Sequence, residues 1–243
     1  MAGEERCVGG EAESIGIAEA RSALAWWLEA GVDSAIQEQP RNWLQPPAPH
    51  EPAPAAIASA QAAVEQPVHN TLEEFRRWVE ISDHLPMAGR SARRVLPHGP
   101  AQAAIMLLAE APENASGGPI SGEAWELTRR MLGAIHIPLD QSYIASLSFF
   151  HAPGVRMSAV ERDSCAQIAR QHIRLVAPQR LLLLGDGPSQ ALLGRRLVDA
   201  RGHVHKIEGA RTVATFHPTH LIKRPLDKSL AWRDLLLLME DES

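Results

Sequence analysis

Residues 104–109 read AIMLLA and are followed at once by the acidic residue Glu110. A short, continuous apolar run of this kind is typical of a strand that is buried on both faces. Three further runs have the same character, and stretches with the helical spacing of apolar residues separate them. The four runs are residues 104–109, 142–147, 180–184 and 211–216. Strands that alternate with helices predict an α/β protein, namely a three-layer α/β/α sandwich around a mostly parallel sheet of about four strands.

The helices are predicted from start signals and apolar spacing. Ser158 followed by Glu161 is a capping box, which opens a helix that reaches about Val176. Three more helices are predicted over residues 121–135, 189–193 and 226–239.

A further short helix is predicted ahead of the sheet. Asn70 followed by Glu73 fits a capping box, and Leu72, Phe75 and Val79 would share one face of the helix that follows.

The chain is predicted to have three parts. Residues 1–37 form a helical segment, residues 38–69 a proline- and alanine-rich linker, and residues 70–243 the α/β/α domain. The pair Trp26–Trp27 lies in the helical pattern of residues 13–31. It is either a face that packs on the main domain or a docking site for a protein partner.

Charge is unevenly distributed between the parts. Residues 1–85 carry 14 acidic and 5 basic side chains, whereas residues 86–243 carry 15 and 19. The mildly basic second part is compatible with a polyanionic partner but does not by itself establish one.

Composition excludes several classes of protein. The two cysteines, Cys7 and Cys165, provide neither a disulfide framework nor a four-cysteine metal site. The first ten residues, MAGEERCVGG, lack the basic and apolar regions of a signal peptide, and no apolar run approaches the ~18 residues of a membrane span. We therefore expect a cytoplasmic protein without a membrane partner.

Sheet geometry predicts where a ligand would bind. In open parallel sheets the ligand lies beyond the carboxyl ends of the strands. The residues expected at that edge are Glu110, residues 146–150, Gly185–Asp186 and His217.

Two stretches at this edge have the composition of a site. Residues 109–122 read AEAPENASGGPISG. Its glycines permit close approach of a ligand, and Ser121 is placed to cap the next helix. The alternative interpretation is an ordinary glycine-rich turn. Pro218 restricts the backbone of His217, which favours a preorganised imidazole, although a histidine that only satisfies loop carbonyls is the commoner case. The pair His217 and His220 has no third ligand in view, so we predict no metal there.

Together these motifs resemble the uracil-DNA glycosylase superfamily, most closely its bacterial and archaeal iron–sulfur branch. That branch has Gly-Glu-Ala-Pro-Gly and Gly-x-Pro-Phe-Val-Gly, where this chain has AEAPE and GGPISG. Its Thr-Tyr-His-Pro motif resembles TFHPTHLIKRP at residues 215–225. Pro-Gly-x-Arg appears at residues 153–156, and Glu-x-x-x-Cys at residues 161–165. The likeness covers about residues 104–239.

The resemblance implies excision of a flipped, damaged base, commonly uracil, from DNA. Glu110 would stabilise the cationic sugar or position water, and His217 would donate a hydrogen bond to O2 of the leaving base. The second acidic residue of the family's loop is missing, and Asn114 is its nearest polar substitute. The implied base pocket consists of Ala111, Pro112, Pro119, Ile120 and Ser146.

The resemblance also implies a set of DNA contacts. These are Gly118, Ser121, Arg156, His220, Lys223 and Arg224, with Arg90, Arg93 and Arg94 as weaker candidates.

Departures from the family pattern bear on substrate and cofactor. Ile120 stands where the family has a stacking phenylalanine, and Ser146 where it has the asparagine that reads uracil. Only Cys165 remains of four cluster cysteines, so we predict that no iron–sulfur cluster binds and that Phe149 and Phe150 fill its space.

Two alternative functions stay open, and the changes in the pocket favour the first of them. One is a catalytically impaired, DNA-binding adaptor of the same superfamily, and the other is a nucleoside or nucleotide hydrolase that uses the same edge of the sheet.

Overall fold

The computed structural model describes residues 67–88 and 92–240, together with Arg21, Ser22 and Trp26. These last three residues are helical, and Trp26 is exposed. The rest of the predicted helix at 13–31, including Trp27, lies outside the described residues, as do the predicted boundary at residue 37 and Arg90.

The main sheet has five strands, and four of them are the predicted ones. They are β2 (Ile105–Ala109), β3 (Ser142–Ser146), β5 (Arg180–Leu184), β6 (His205–Ile207) and β7 (Ala210–Thr215), in the order β3-β2-β5-β7-β6. The pairs β2–β3, β2–β5 and β5–β7 are parallel, and β6 pairs antiparallel with β7. The α/β/α prediction is confirmed, with one strand more than expected at the edge.

The additional strand β6 is joined to β7 by a two-residue turn. Glu208 and Gly209 both have positive φ, +48° and +89°, which is the backbone of a hairpin turn that favours glycine. Only three residues pair in β6, so a search for longer apolar runs does not detect it.

A second, two-stranded ribbon lies outside the main sheet. It pairs β1 (Arg93–Arg94) with β4 (Phe150–His151) in antiparallel register, and the predictions did not include it.

The helices cover both faces of the main sheet. Within residues 67–240 the first helix is α1 (Leu72–Ile81). After it come α2 (Gly122–Ala134), α3 (Ala159–Val176), α4 (Asp186–Leu193), α5 (Leu197–Ala200), α6 (Pro218–Lys223) and α7 (Lys228–Met239). No helix in the described ranges is long and apolar enough to cross a membrane.

Successive side chains of each strand face opposite sides of the sheet, so the core has two apolar layers, one on each face. Met106 and Leu108 of β2 face α3, α4 and α5, whereas Ile105 and Leu107 face α2 and α7. Because every residue of β2 and β3 is buried, these strands read as continuous apolar runs rather than alternating ones.

Two capping predictions have different outcomes. The box at Ser158 and Glu161 is confirmed, since both of its hydrogen bonds are formed at the start of α3. The box at Asn70 is wrong by one residue, because Thr71 and Glu74 make the reciprocal bonds.

Helix α1 packs on the region that the family resemblance associates with a cluster. Phe75 and Val79 are buried with Phe149, Phe150 and Ile168 in a third apolar layer. The rings of Phe75 and Phe149 meet edge to face at 6.2 Å between centroids. Phe149 and Phe150 are thus buried in an apolar layer, and their occupation of the space of a cluster stays a prediction.

Candidate functional site

A cleft of about 910 Å³ opens at the carboxyl ends of the parallel strands, where sheet geometry predicts a ligand site. Most of its lining residues lie in β4 or follow β2, β4, β5 and β7, and Met87, Leu197 and Val198 also line it. Its polar side chains are Glu110, Glu113, His151, Arg156, Arg162, Asp186, His217 and His220. Met87, Phe150, Met157 and Phe216 are among its apolar side chains.

Glu110 leaves β2 with its backbone fixed and its side chain exposed to the cleft. The amide of Ser148 donates to the Glu110 carbonyl at 3.0 Å, so the segments after β2 and β3 stay paired past the sheet. Gly187 lies against the carboxylate: a Cβ built on this glycine would be 2.7 Å from Oε2 of Glu110. A side chain at position 187 would therefore displace the carboxylate, a constraint that the sequence analysis missed.

His217 is the N-cap of α6, with Pro218 as the first residue of the helix. Its φ of −64° and ψ of 140° are the extended conformation expected before proline. The amide of Thr219 donates to Nδ1 of His217 at 3.3 Å. Because an amide can only donate, Nδ1 accepts, and the neutral ring carries its proton on Nε2.

Two opposing effects act on the charge of His217. Burial lowers its pKa below the usual 6.5, and the carboxylate of Glu113, whose Oε1 lies 3.7 Å from Nδ1, raises the pKa by a smaller amount. The Thr219 hydroxyl donates to the same Oε1 and holds the carboxylate there. The net effect favours a neutral imidazole that donates from Nε2 near neutral pH.

Glu113 was missed in the sequence, although it directly follows the Glu-Ala-Pro motif. The resemblance places a glycine of its motif at this position, whereas here an acidic residue lies next to the imidazole. Asn114, the predicted substitute, does not line the cleft, and its Nδ2 donates to Oγ of Ser121 at 2.6 Å.

Ser121 occupies the N-cap position of α2, as predicted, but its hydroxyl makes no capping bond to the helix. The hydroxyl instead accepts the bond from Asn114. The pair links the two ends of the glycine-rich loop.

The predicted base-pocket residues divide into two groups. Ala111 and Pro112 line the cleft, whereas Pro119, Ile120 and Ser146 are not among its lining residues. Ile120 is buried in the layer with α2, and the Ser146 hydroxyl, also buried, donates to the Ser148 carbonyl at 2.6 Å. Both side chains are committed to contacts within the protein, which motif position does not reveal.

His151 lines the cleft and was not predicted as a site residue. Its Nδ1 lies 2.9 Å from the carbonyl oxygen of Pro112, so this nitrogen donates and the neutral ring has its lone pair on Nε2. Residues 149–153 read Phe-Phe-His-Ala-Pro, and this stretch alone does not mark His151 as a site residue.

The predicted DNA contacts also divide. Arg156 and His220 line the cleft, and Arg156 is exposed. Lys223 and Arg224 are exposed at the end of α6 outside the cleft lining, and Gly118 lies in the glycine-rich loop against His98.

Arg93 and Arg94 differ in what they contact. Arg93 is exposed. Arg94 donates to the carbonyls of Val79 and Ser82 at 2.6 and 2.8 Å and lies over the Phe150 ring at 5.1 Å. We therefore assign Arg94 to the support of β4 rather than to DNA.

A stack of side chains supports the corner that carries His217. The guanidinium of Arg201 lies 4.9 Å from the Phe216 ring centroid, and Phe216 stacks on His220 at 4.7 Å. Nε2 of His220 pairs with Asp227 at 2.7 Å. His220 therefore has protein partners on its ring face and its edge.

The donor set does not fit an iron–sulfur cluster. A cluster takes about four thiolates, and Cys165 is the only described cysteine. Burial raises the pKa of this thiol to about 12. Among the residues that the structure describes, no three or more His, Cys, Asp or Glu side chains are placed so that they could hold a metal ion. The absence of a cluster stays a prediction that rests on the donor set.

A sequence model of the uracil DNA glycosylase superfamily matches residues 96–236, which is more than half of the 243-residue chain. The matched range includes every strand of the main sheet and both Glu110 and His217. The chain belongs to the uracil DNA glycosylase superfamily.

Proposed function

We propose that this protein is a DNA glycosylase that flips uracil or another deaminated base out of DNA and excises it in base-excision repair. Its superfamily supports hydrolysis of an N-glycosidic bond. The observation that carries the proposal is that Glu110 and His217 line one cleft from two different strands, with β5 between those strands. A base is inaccessible to such groups within the DNA stack, so it must enter the cleft flipped.

In the proposed mechanism, Glu110 stabilises the positive charge that develops on the sugar, and His217 stabilises the negative charge that develops on the base. As the C1′–N bond breaks, the sugar becomes cationic and the base leaves with the bonding electrons. The carboxylate of Glu110 stabilises the sugar cation and orients the water whose oxygen bonds to C1′. The Nε2–H of His217 donates to the base oxygen that takes up negative charge. The released base then takes the proton that the water loses.

His217 acts in this mechanism as a neutral donor rather than as an acid. The bond from the Thr219 amide to Nδ1 fixes the proton on Nε2, and burial lowers the pKa of the ring. A neutral imidazole suits a base that leaves as a stabilised anion, because the ring needs to donate a hydrogen bond and not a proton.

DNA contact in the proposal comes from exposed basic side chains around the cleft. Arg156 lines the cleft, and Lys223 and Arg224 are exposed at the end of α6. If these residues contact phosphates, affinity falls steeply with salt concentration, and each charge that is removed reduces the slope by about one unit.

Oligonucleotide cleavage tests the proposal. Single- and double-stranded substrates carrying uracil, hypoxanthine or xanthine are incubated with the protein, and abasic sites are then cleaved with alkali. We expect cleavage of at least one lesion, lost by a factor of roughly 10² or more in Glu110→Gln and in His217→Asn. Glu126→Gln and His203→Asn, which change exposed residues outside the cleft lining, serve as matched controls and keep wild-type activity.

The alternative functions give different results in the same assay. Salt-sensitive binding without cleavage of any lesion contradicts the enzyme and supports the adaptor. Release of base from free deoxyuridine but not from DNA supports the nucleoside hydrolase.

A further inference from the structure

The backbone fixes the tautomers of two histidines in the cleft, and it fixes them in opposite senses. The Pro112 carbonyl accepts from Nδ1 of His151, which leaves an acceptor on Nε2. The Thr219 amide donates to Nδ1 of His217, which leaves a donor on Nε2. One neutral imidazole therefore accepts while the other donates, and both rings line the same cleft.

His151 belongs to a supported element rather than to a free loop. It pairs with Arg93 in the β1–β4 ribbon, and the amide of Val95 donates to the Phe149 carbonyl at 2.8 Å. Phe150, the other residue of β4, is held beneath Arg94. Among the described residues, no hydrogen bond engages Nε2 of His151, so this atom is available to a ligand.

We propose that His151 determines base specificity by accepting the N3–H of a uracil-type pyrimidine while His217 donates to O2. This inference rests on the proposed function, which assigns His217 to the leaving base. The exocyclic oxygen O2 is bonded to C2, and nitrogen N3 is the next atom of the ring. In uracil N3 carries a hydrogen, whereas in cytosine it carries a lone pair. His151 therefore accepts a bond from uracil and opposes the lone pair of cytosine.

This role compensates for the serine at position 146. The buried Ser146 hydroxyl is committed to the Ser148 carbonyl and does not line the cleft, so it does not read the base. Rejection of cytosine still requires a group that distinguishes N3–H from N3. Among the cleft residues, His151 presents an acceptor at Nε2, and the Pro112 carbonyl fixes the tautomer of its ring. Discrimination between N3–H and an N3 lone pair requires such a fixed acceptor.

The test pairs a protein change with a matching ligand change. Oligonucleotides carry uracil, N3-methyluracil or cytosine on a 2′-fluoroarabino sugar, which resists cleavage, and their dissociation constants are measured by fluorescence anisotropy. Wild type is expected to bind uracil roughly tenfold more tightly than N3-methyluracil, the equivalent of one hydrogen bond. In His151→Ala this ratio is expected to fall to about two or less, because the acceptor is gone and the methyl group has space.

His151→Gln provides the readout that a purely structural role would not change. Its amide has both an acceptor and a donor, so this variant is expected to keep part of the preference for uracil and to bind cytosine more tightly than wild type does. His203→Gln, at an exposed position, is the matched control and keeps the wild-type ratios.

Two results overturn the inference: equal affinity of wild type for uracil and N3-methyluracil, or an unchanged ratio in His151→Ala. If His151→Ala does not fold, wild-type cytosine affinity in His151→Gln contradicts the inference instead. Because the readout is binding, these outcomes are distinct from failure of the proposed function, which is the absence of cleavage.

Discussion

The buried histidine His172 is expected to make the fold sensitive to acid. The Tyr143 hydroxyl lies 2.8 Å from Nε2 of His172 and accepts a bond from Nε of Arg76 at 3.3 Å. When the hydroxyl directs its own hydrogen to Nε2, the neutral ring carries its proton on Nδ1, which has no partner among the described residues. Burial, followed by the positive charge of Arg76, lowers the pKa of His172 to about 3.

The sign and size of the effect follow from proton linkage. In the unfolded chain an imidazole titrates near 6.5. Between about pH 6.5 and pH 3 the unfolded state therefore binds a proton that the folded state does not. The stability from neutral His172 is fully present above this window and is lost as the pH falls through it, by about 2 kcal/mol between pH 7 and pH 5.

Urea unfolding at pH 7 and pH 5 tests this expectation in wild type and in His172→Gln, which keeps an acceptor but does not titrate. Other titrating groups are common to both proteins, so wild type is expected to lose about 2 kcal/mol more than the variant does. His203→Gln, at an exposed position, is expected to follow wild type.

Parallel losses in wild type and His172→Gln would refute the reasoning. An NMR titration provides a second measurement that does not depend on the variant folding. In this titration the ring signals of His172 are expected to stay constant down to about pH 4.5, because the pKa lies well below that value.

Two further predictions concern the cleft. Glu113→Gln removes the charge that raises the pKa of His217, so the NMR titration midpoint of that ring is expected to move to lower pH; a shift to higher pH would contradict the assignment. Gly187→Ala is expected to displace the Glu110 carboxylate and reduce kcat/KM for base excision by roughly 10²-fold, whereas Gly133→Ala, where an added Cβ meets no atom within 4 Å, keeps activity. Wild-type activity in Gly187→Ala would show that the carboxylate does not need its observed position.

The parallel strands were predictable because each is buried on both faces. The predicted run 180–184 is identical to β5, and 211–216 differs from β7 by one residue at each end. Strand β6 was not predictable in the same way, because it has only three residues and lies at the edge of the sheet. The six-residue helix α6 is likewise too short to leave a periodic pattern.

The first capping box shows the limit of local sequence signals. Both Asn70 with Glu73 and Thr71 with Glu74 satisfy the spacing, and the sequence alone does not choose between them. The structure forms the second pair. The choice rests on hydrogen bonds and packing that the spacing of two residues does not encode.

Site residues whose position depends on strand ends were predictable, whereas those whose role depends on side-chain contacts were not. Glu110 and His217 were identifiable because strand ends of a parallel sheet meet at one edge. Ile120 and Ser146 were assigned to the pocket by motif position, but both are buried and neither is among the residues that line the cleft. His151 was missed because its role depends on a carbonyl 39 positions away in the chain.

The position of β5 between β2 and β7 has a consequence for the size of the substrate. Neighbouring strands lie about 4.8 Å apart, so the backbones that carry Glu110 and His217 are separated by two such spacings, or about 10 Å. The central strand thus fixes the distance between the two backbones, because backbone hydrogen bonds and not side chains set the spacing between strands. In the proposed mechanism, substitutions in the cleft can change which base is accepted, but the separation between the backbones that carry Glu110 and His217 stays constant as long as the sheet is intact.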